Sequence, residues 1–136
     1  MPFWLVKSEP TTYSFNDLLR DKRTHWDGVR NFQARNFLKG MKKGDMALCY
    51  HSGDDKAVMG VVEVIKEAYP DSSATEGEWV MVDLKPTQKF TSPVSLKEIK
   101  AHKALAKMLL IKQSRLSVMP VTDAEFETIY KMGTGK

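Results

Sequence analysis

Strand-like segments that follow one another in the middle of the chain constrain the fold more than any other feature. Between Met46 and about Phe90, MALCYH alternates in strand fashion, AVMGVVEVI is apolar and β-branched, and WVMVDL reads as another strand. Gly60 in the second run indicates a bulge or a close backbone approach. Neighbouring strands without intervening helices favour an antiparallel, barrel-like sheet over a βαβ arrangement. Segments that leave and re-enter strands then gather at the barrel mouth.

Helix signals flank these strands on both sides. Ser14 to Asp17 resembles a capping box, and RNFQARNFLKGMKKG carries its apolar side chains at helical spacing. Further helix starts are indicated at Ser95 and Thr122, and residues 3–7 are predicted to form a strand. A chain of 136 residues suits one core. We therefore expect a single α+β domain over residues 1–136, with about five or six strands and flanking helices.

Composition bounds the cellular setting. Hydrophobic residues make up 42% of the chain and charged residues 28%, as in ordinary globular proteins. No apolar run approaches the roughly 20 residues that span a bilayer, and the N-terminus lacks the pattern of a signal peptide. The single cysteine, Cys49, excludes an internal disulfide and fits a reducing compartment, either cytoplasm or nucleus. We expect a cytoplasmic monomer that contacts no membrane.

Positive charge is concentrated in two segments. The formal net charge is +4, but five basic residues and no acidic one lie between Asp27 and Asp45. The stretch from Lys97 to Arg115 carries six basic residues against one acid. If the two segments share one face, that face attracts an anionic partner such as nucleic acid. The alternative is two solvated surfaces that never meet.

The segment HWDGVRNFQARN, residues 25–36, combines a tryptophan with many planar hydrogen-bonding groups. Trp26 has polar neighbours and is predicted to lie in a loop or at a helix entry. A ring that stacks, amides that pair with a base edge and cations that hold phosphates are the components of nucleotide recognition. Two plainer interpretations stay open. Trp26 is a core residue in one, and Asn31 is only a helix N-cap in the other.

Several ordered motifs resemble those of the EVE-domain family. They are WLVKSEP, WDGVRNFQARNFLKGM, GD followed by CYHS, GVVEVIKEAYPD, WVMVDL and RLSVMPVT, and together they run from about residue 3 to residue 130. The resemblance implies a PUA-like open β-barrel with flanking helices, related to the YTH readers of methylated RNA bases. It also implies binding of a modified base in DNA or RNA, without catalysis and without a cofactor.

The resemblance assigns roles to particular residues. Trp26 is expected to stack on the base, with Tyr50 as a second wall. Ser8, Asn31 and His51 are expected to bond the base edge. Phosphate contacts are assigned to Lys7, Arg30, Arg35 and Arg115. The remaining matches to family motifs are Asn36, Ser52, and the AYPD residues Tyr69, Pro70 and Asp71.

Two rival functions remain open from the sequence. Cys49 and His51 lie two apart on a predicted strand, so both side chains project from one face and could form a nucleophile and base. A buried, inert cysteine is the simpler interpretation. The three histidines and one cysteine lack the spacing of a metal site, so no metal is expected. A protein-binding scaffold, with Trp26 as its anchor, is the other rival.

Overall fold

A computed structural model describes residues 3–135 of the chain. These residues form one six-stranded sheet and five α-helices. The strands are β1 (Phe3–Ser8), β2 (Thr24–Trp26), β3 (Met46–His51), β4 (Ala57–Pro70), β5 (Val80–Ser95) and β6 (Val118–Val121). The helices are α1 (Phe15–Asp21), α2 (Phe32–Gly40), α3 (Leu96–Ala101), α4 (Leu109–Lys112) and α5 (Asp123–Thr134). This architecture confirms the predicted α+β class and strand number.

The sheet has the order β2-β5-β4-β3-β1-β6 and stays open between its two edge strands. Strands β4 and β5 run for 14 and 16 residues and pair with four shifts of register. Each irregularity adds bend and twist to the strand that carries it. Long bulged strands of this kind curve the sheet into the barrel-like form predicted from the sequence.

Two details differ from the sequence prediction. Strand β1 pairs in parallel with β3, with Leu5 opposite Leu48, whereas the predicted sheet was antiparallel. The long connection through α1, β2 and α2 supplies the crossover that a parallel pair requires. Trp26 lies at the end of a short edge strand and pairs with Val82, not in a loop. The sequence did not predict this strand because it lies at the sheet edge, where a polar residue such as His25 is exposed to solvent.

Predicted helix caps are present where the sequence placed them. Ser14, Ser95 and Thr122 each close a capping box with the acidic residue three positions later. Asn31 caps α2 by accepting the backbone N–H of Ala34 at 2.9 Å. These side chains satisfy N–H groups that a helix leaves unpaired at its start. The helix starts, and hence the loops before them, are thereby fixed by local sequence.

The core fills the space between the curved sheet and its helices. Leu5, Leu48, Val62 and Leu84 are fully buried on four different strands. Helix α2 packs against β4, β5 and β6. Each fully buried aliphatic side chain contributes about 1.5–3 kcal/mol relative to exposure. Rigid packing of this kind holds the strand ends, where the site residues lie, in fixed positions.

Gly60 marks the close backbone approach predicted from the sequence. A Cβ at this position would lie 2.3 Å from the carbonyl oxygen of Gln88 and 2.7 Å from the ring of Phe15. We expect Gly60→Ala to lower the free energy of unfolding by about 1–3 kcal/mol, the usual cost of overpacking. Urea denaturation measures this.

Gly40→Ala is the matched control for that substitution. Its added Cβ would meet the Trp4 ring at an ordinary 3.4 Å. Alanine is also the better helix former by about 1 kcal/mol, so Gly40→Ala should be neutral or stabilising. Equal stability of the two variants would show that the chain tolerates a side chain at this close backbone approach.

Candidate functional site

A cavity of about 360 Å³ opens between the end of β1 and strand β2, a volume within the usual range of small-ligand sites. Lys7 and Ser8 reach it from β1, and Trp26 reaches it from β2. Three residues to which the resemblance assigns base or phosphate contacts thus line one cavity. Its lining is completed by Glu9, Thr12, Tyr13, Thr24, His25 and Asp27.

Trp26 is a core residue that also lines the cavity. Its side chain belongs to the hydrophobic core and is only 8% exposed. The same residue lines the cavity. A ring held by core packing loses little conformational freedom when a flat ligand stacks on its open part. Burial therefore makes Trp26 a rigid wall, and it also means that truncating the ring would disturb the core.

Lys7 lies between the cavity and the segment that precedes β6. Its Nζ donates a hydrogen bond to the carbonyl oxygen of Ser114 at 2.8 Å and lies 5.7 Å from the centre of the Tyr50 ring. Partial burial lowers the pKa of Lys7. Tyr50 itself is buried, which raises the pKa of its hydroxyl, and it does not line the cavity.

Ser8 and Ser52 fix the end of β1 at the cavity. The hydroxyl of Ser8 donates to the carbonyl oxygen of Tyr13. The carbonyl oxygen of Ser8 accepts the backbone N–H of Ser52 at 2.9 Å and its hydroxyl at 3.4 Å. Ser52 therefore holds Ser8 in position. The hydroxyl oxygen of Ser8 can still accept a hydrogen bond from a ligand.

His51 is buried and both of its ring nitrogens are engaged. Its Nε2 accepts the backbone N–H of Phe15 at 2.9 Å, which places the proton on Nδ1. Nδ1 lies 3.0 Å from the Asp55 carboxylate and donates to it. These bonds tie β3 to the start of α1, so His51 joins two elements and does not line the cavity.

Cys49 lacks the properties of a nucleophile. The thiol is buried in the core, and burial raises its pKa to about 12. A reactive cysteine needs a thiolate near neutral pH, which a cationic, partly exposed environment supplies. The histidine two residues away already has partners at both nitrogens. The Cys49–His51 arrangement therefore has the character of core packing.

A buried carboxylate organises the segment that follows Trp26. Asp71 Oδ2 accepts the Gly28 N–H at 2.9 Å and the Arg30 guanidinium at 3.0 Å, while Oδ1 accepts the Ser73 N–H and hydroxyl at 2.8 and 2.6 Å. Burial by itself raises the pKa of Asp71. The bonds from Ser73, Gly28 and Arg30 outweigh that effect and lower the pKa to about 2. Arg30 is thus ion-paired within the protein.

A second cavity, of about 320 Å³, joins the two basic segments. Asn31 lies in the first segment and Arg115 in the second, and both line it. The cap bond to Ala34 occupies the Asn31 oxygen and leaves its amide N–H₂ for a ligand. The other lining residues are Gln33, Lys112, Gln113, Ser114 and Leu116. Ser114 also accepts the Lys7 bond, so Lys7 connects the two cavities.

Arg35 and Asn36 lie farther along α2 and line neither of these cavities. The Arg35 guanidinium donates to the Glu78 carbonyl oxygen at 3.3 Å and to Asn36 Oδ1 at 3.5 Å. It also lies 4.9 Å from the centre of the Phe32 ring. The structure therefore separates Arg35 and Asn36 from Lys7, Ser8 and Trp26.

Sequence reasoning missed several polar cavity residues. Glu9, Thr12 and Tyr13 follow Lys7 and Ser8 in the sequence, and Thr24, His25 and Asp27 lie within two residues of Trp26. Their closeness in sequence to assigned residues was the available signal. No group of three or more metal-binding side chains occurs in the part of the chain that the structure describes.

A sequence profile of the EVE domain matches residues 2–132. The chain belongs to the EVE-domain family. Human thymocyte nuclear protein 1 is 36% identical to it, over 95% of this chain and 72% of the human protein. The crystal structure of a protein from Agrobacterium tumefaciens has a TM-score of 0.93 at 41% identity, covering 98% of this chain and 93% of that one.

A further solved EVE relative carries a ligand. The crystal structure of human THYN1 protein in complex with 5-methylcytosine-containing DNA has a TM-score of 0.89 at 35% identity, and 98% of each chain is covered. These likenesses confirm the PUA-like fold expected of this EVE domain.

The prediction of a cytoplasmic location is wrong. The chicken, human and mouse relatives, at 36–37% identity, are all named thymocyte nuclear protein 1, a name that places those proteins in the nucleus. Cysteine content indicates only a reducing compartment and does not distinguish nucleus from cytoplasm. Within residues 3–135, no helix has the length and apolar character that crossing a membrane requires.

The low pKa of Asp71 predicts how acid acts on the segment that it organises. A carboxylate with a folded pKa of about 2, against an ordinary 3.8, stabilises the fold above about pH 4. That stabilisation is lost as the pH falls toward 2. Wild type should exceed Asp71→Asn in stability by a constant margin above pH 4, and the margin should shrink below it.

Urea denaturation of both proteins between pH 2 and pH 6 measures the margin. Asp123→Asn is the control, because Asp123 lies at the start of α5, away from this segment. A margin for Asp71→Asn that stays constant down to pH 2 would contradict the role given to its carboxylate.

Proposed function

We propose that this protein is a non-catalytic reader of a modified nucleobase, which it binds as a monomer in the cavity between β1 and β2. The observation that carries the proposal is the convergence of Trp26, Lys7 and Ser8 on that cavity. The human EVE relative in complex with 5-methylcytosine-containing DNA supports it. DNA or RNA that presents an accessible modified base is the partner, and no cofactor takes part.

The base reaches the cavity from a single strand or by extrusion from a duplex. Its face stacks on Trp26, whose ring is held by the core. The polar edge of the base forms hydrogen bonds with oxygen atoms of Ser8, Thr12 and Tyr13, which all line the cavity. Because the Trp26 ring is held by the core and polar groups surround it, the cavity can accept a flat ligand without a change in its own shape.

The second cavity supplies the path for the strand backbone. Lys112 and Arg115 are exposed cations, and the Asn31 amide lies with them. Lys7 stands between this cavity and the base cavity, through its bond to Ser114. Phosphates bound along this path would hold the strand while the base enters the pocket. Arg30 has another role, since Asp71 neutralises it and the pair shapes the loop.

Two contributions to the binding free energy, methyl burial and hydrogen bonding at the base edge, set the selectivity between modified and unmodified bases. An added methyl buried against Trp26 gains roughly 0.8 kcal/mol, which is about fourfold in affinity. A modification that changes hydrogen bonding at the Ser8 edge has a larger effect, because an unmet buried partner costs about 1–3 kcal/mol. We therefore propose a modest preference for methylation and a stronger one where the modification adds or removes a polar group.

The enzyme alternative finds no support in the geometry. Its nucleophile would be Cys49, whose thiol is buried with a pKa of about 12. Its base would be His51, whose ring nitrogens bond Phe15 and Asp55. Neither residue lines the base cavity. Recognition without chemistry is the function that the site supports best.

Binding to matched oligonucleotides tests the proposal. Single strands with one central cytosine, 5-methylcytosine or 5-hydroxymethylcytosine are titrated by fluorescence anisotropy. Wild type should prefer at least one modified base, by about fourfold or more. Trp26→Leu keeps apolar bulk but lacks a flat ring, so it should weaken binding roughly ten- to hundredfold. Trp26→Phe keeps a ring and should lose much less.

Thermal melting of each Trp26 variant separates binding from folding. If Trp26→Leu melts as wild type does and still binds equally well, the ring is not the stacking wall. Equal affinity of wild type for all three bases would sink the reader hypothesis and leave only electrostatic binding of nucleic acid.

The strand path predicts a change in salt dependence. Arg115→Ala should weaken binding and flatten the plot of log affinity against log salt by about 0.7–0.9, the value for one lost phosphate contact. Lys131→Ala is the control, because Lys131 pairs with Glu127 on α5 and lines neither cavity. Identical slopes for wild type and Arg115→Ala would place the backbone elsewhere.

A further inference from the structure

An exposed aromatic pair lies outside both cavities. Phe32, the first residue of α2, stacks on Trp79 with ring centres 5.1 Å apart and an interplanar angle of 26°. Phe32 remains 65% exposed. Among residues 3–135, the next most exposed large hydrophobic residue is Leu19, at 37%. A ring so open to water adds little to core burial, so its place on the surface points to binding.

Two guanidinium groups surround the aromatic pair. Arg35 lies 4.9 Å from the centre of the Phe32 ring and 5.6 Å from that of Trp79, and Arg30 lies 5.6 Å from that of Trp79. The Arg30 charge is neutralised by Asp71. Arg35 donates only to a backbone carbonyl and an amide oxygen, and no carboxylate of the described residues lies within 4.0 Å of it. Its positive charge therefore stays available to an anion.

The aromatic pair is linked to both parts of the proposed site by sequence neighbours and hydrogen bonds. Phe32 lies between Asn31 and Gln33, which both line the second cavity. Trp79 is joined to the base cavity through Asp71, which donates its N–H to the Trp79 carbonyl oxygen at 2.9 Å and accepts the Gly28 N–H. Gly28 directly follows Asp27 of the base cavity. The rings therefore border the short segment, residues 27–31, that contributes Asp27 to the base cavity and Asn31 to the second cavity.

We propose that Phe32 and Trp79 form a second stacking site, which takes an unpaired nucleobase of the same strand outside the pocket, with Arg35 on its phosphate. Aromatic faces that alternate with cations are the general means of holding single strands, because every base has a stackable face. Trp, Phe and Arg also anchor protein partners, but the neighbouring cationic cavity favours a strand. This inference rests on the proposed function and extends the site by one nucleotide or more.

Length dependence of binding is the first test. A ten-nucleotide single strand with a central modified cytosine is compared with the same modified nucleoside monophosphate. Phe32→Ala should weaken binding of the strand roughly five- to hundredfold, and binding of the monophosphate should not change. Phe32→Tyr should bind the strand as tightly as wild type does. Phe32→Leu should bind it as weakly as Phe32→Ala does, since leucine is apolar but has no flat face. Leu19→Ala is the control for loss of an exposed apolar side chain.

Abasic scanning then identifies the stacked base. Replacing flanking nucleotides one at a time by abasic sites should lower wild-type affinity at one position. The same replacement should have no further effect on Phe32→Ala, because the stacking partner is already gone.

The outcomes separate this inference from the proposed function. If wild type prefers a modified base but Phe32→Ala binds the strand equally well, the stacking site is wrong and the pocket stands. That result would favour binding of a protein partner, not of a nucleobase, by Phe32 and Trp79. If Phe32→Ala loses strand affinity while wild type shows no base preference, the stacking site stands and the pocket assignment falls.

Discussion

The Asp71 carboxylate holds together the parts on which the site depends. It lies at the end of β4 and is fully shielded, yet it accepts hydrogen bonds from Gly28, Arg30 and Ser73. A buried charge is tolerated only when it is paired and hydrogen-bonded. That requirement fixes residues 27–31 against the β4–β5 connection. The base cavity, the second cavity and the aromatic pair all border this fixed segment.

The open, curved sheet decides which side chains meet around that segment. Parallel pairing of β1 with β3 brings Lys7 and Ser8 to the same end as Tyr50 and His51. Edge strand β2 carries Trp26 to the other side of the opening. His51 and Ser52 then act as supports, bonding Phe15 and Ser8. The rigid scaffold thus leaves a few groups free to face a ligand, and the others keep those groups in place.

Local sequence predicted much of this. Capping boxes at Ser14, Ser95 and Thr122 are short-range chemistry. Strand β3 also lies where the sequence predicted it, although its burial does not alternate, because both of its faces are covered. The family motifs indicated Lys7, Ser8 and Trp26 as a group. Local sequence did not reveal β2, a three-residue edge strand whose pairing with β5 is a long-range event. Nor did it reveal that Arg30 pairs with Asp71, 41 residues away.

The sequence by itself determined the α+β class, the caps, the close backbone approach at Gly60 and the presence of a tryptophan beside many hydrogen-bonding groups. Those properties follow from backbone preferences and from apolar periods within a few residues. Only the tertiary structure decided that Arg35 lies beside the Phe32 ring and lines neither cavity, and that both ring nitrogens of His51 are bonded inside the protein. A polar side chain has several possible partners, and the fold selects among them by bringing distant strands and loops within hydrogen-bonding distance.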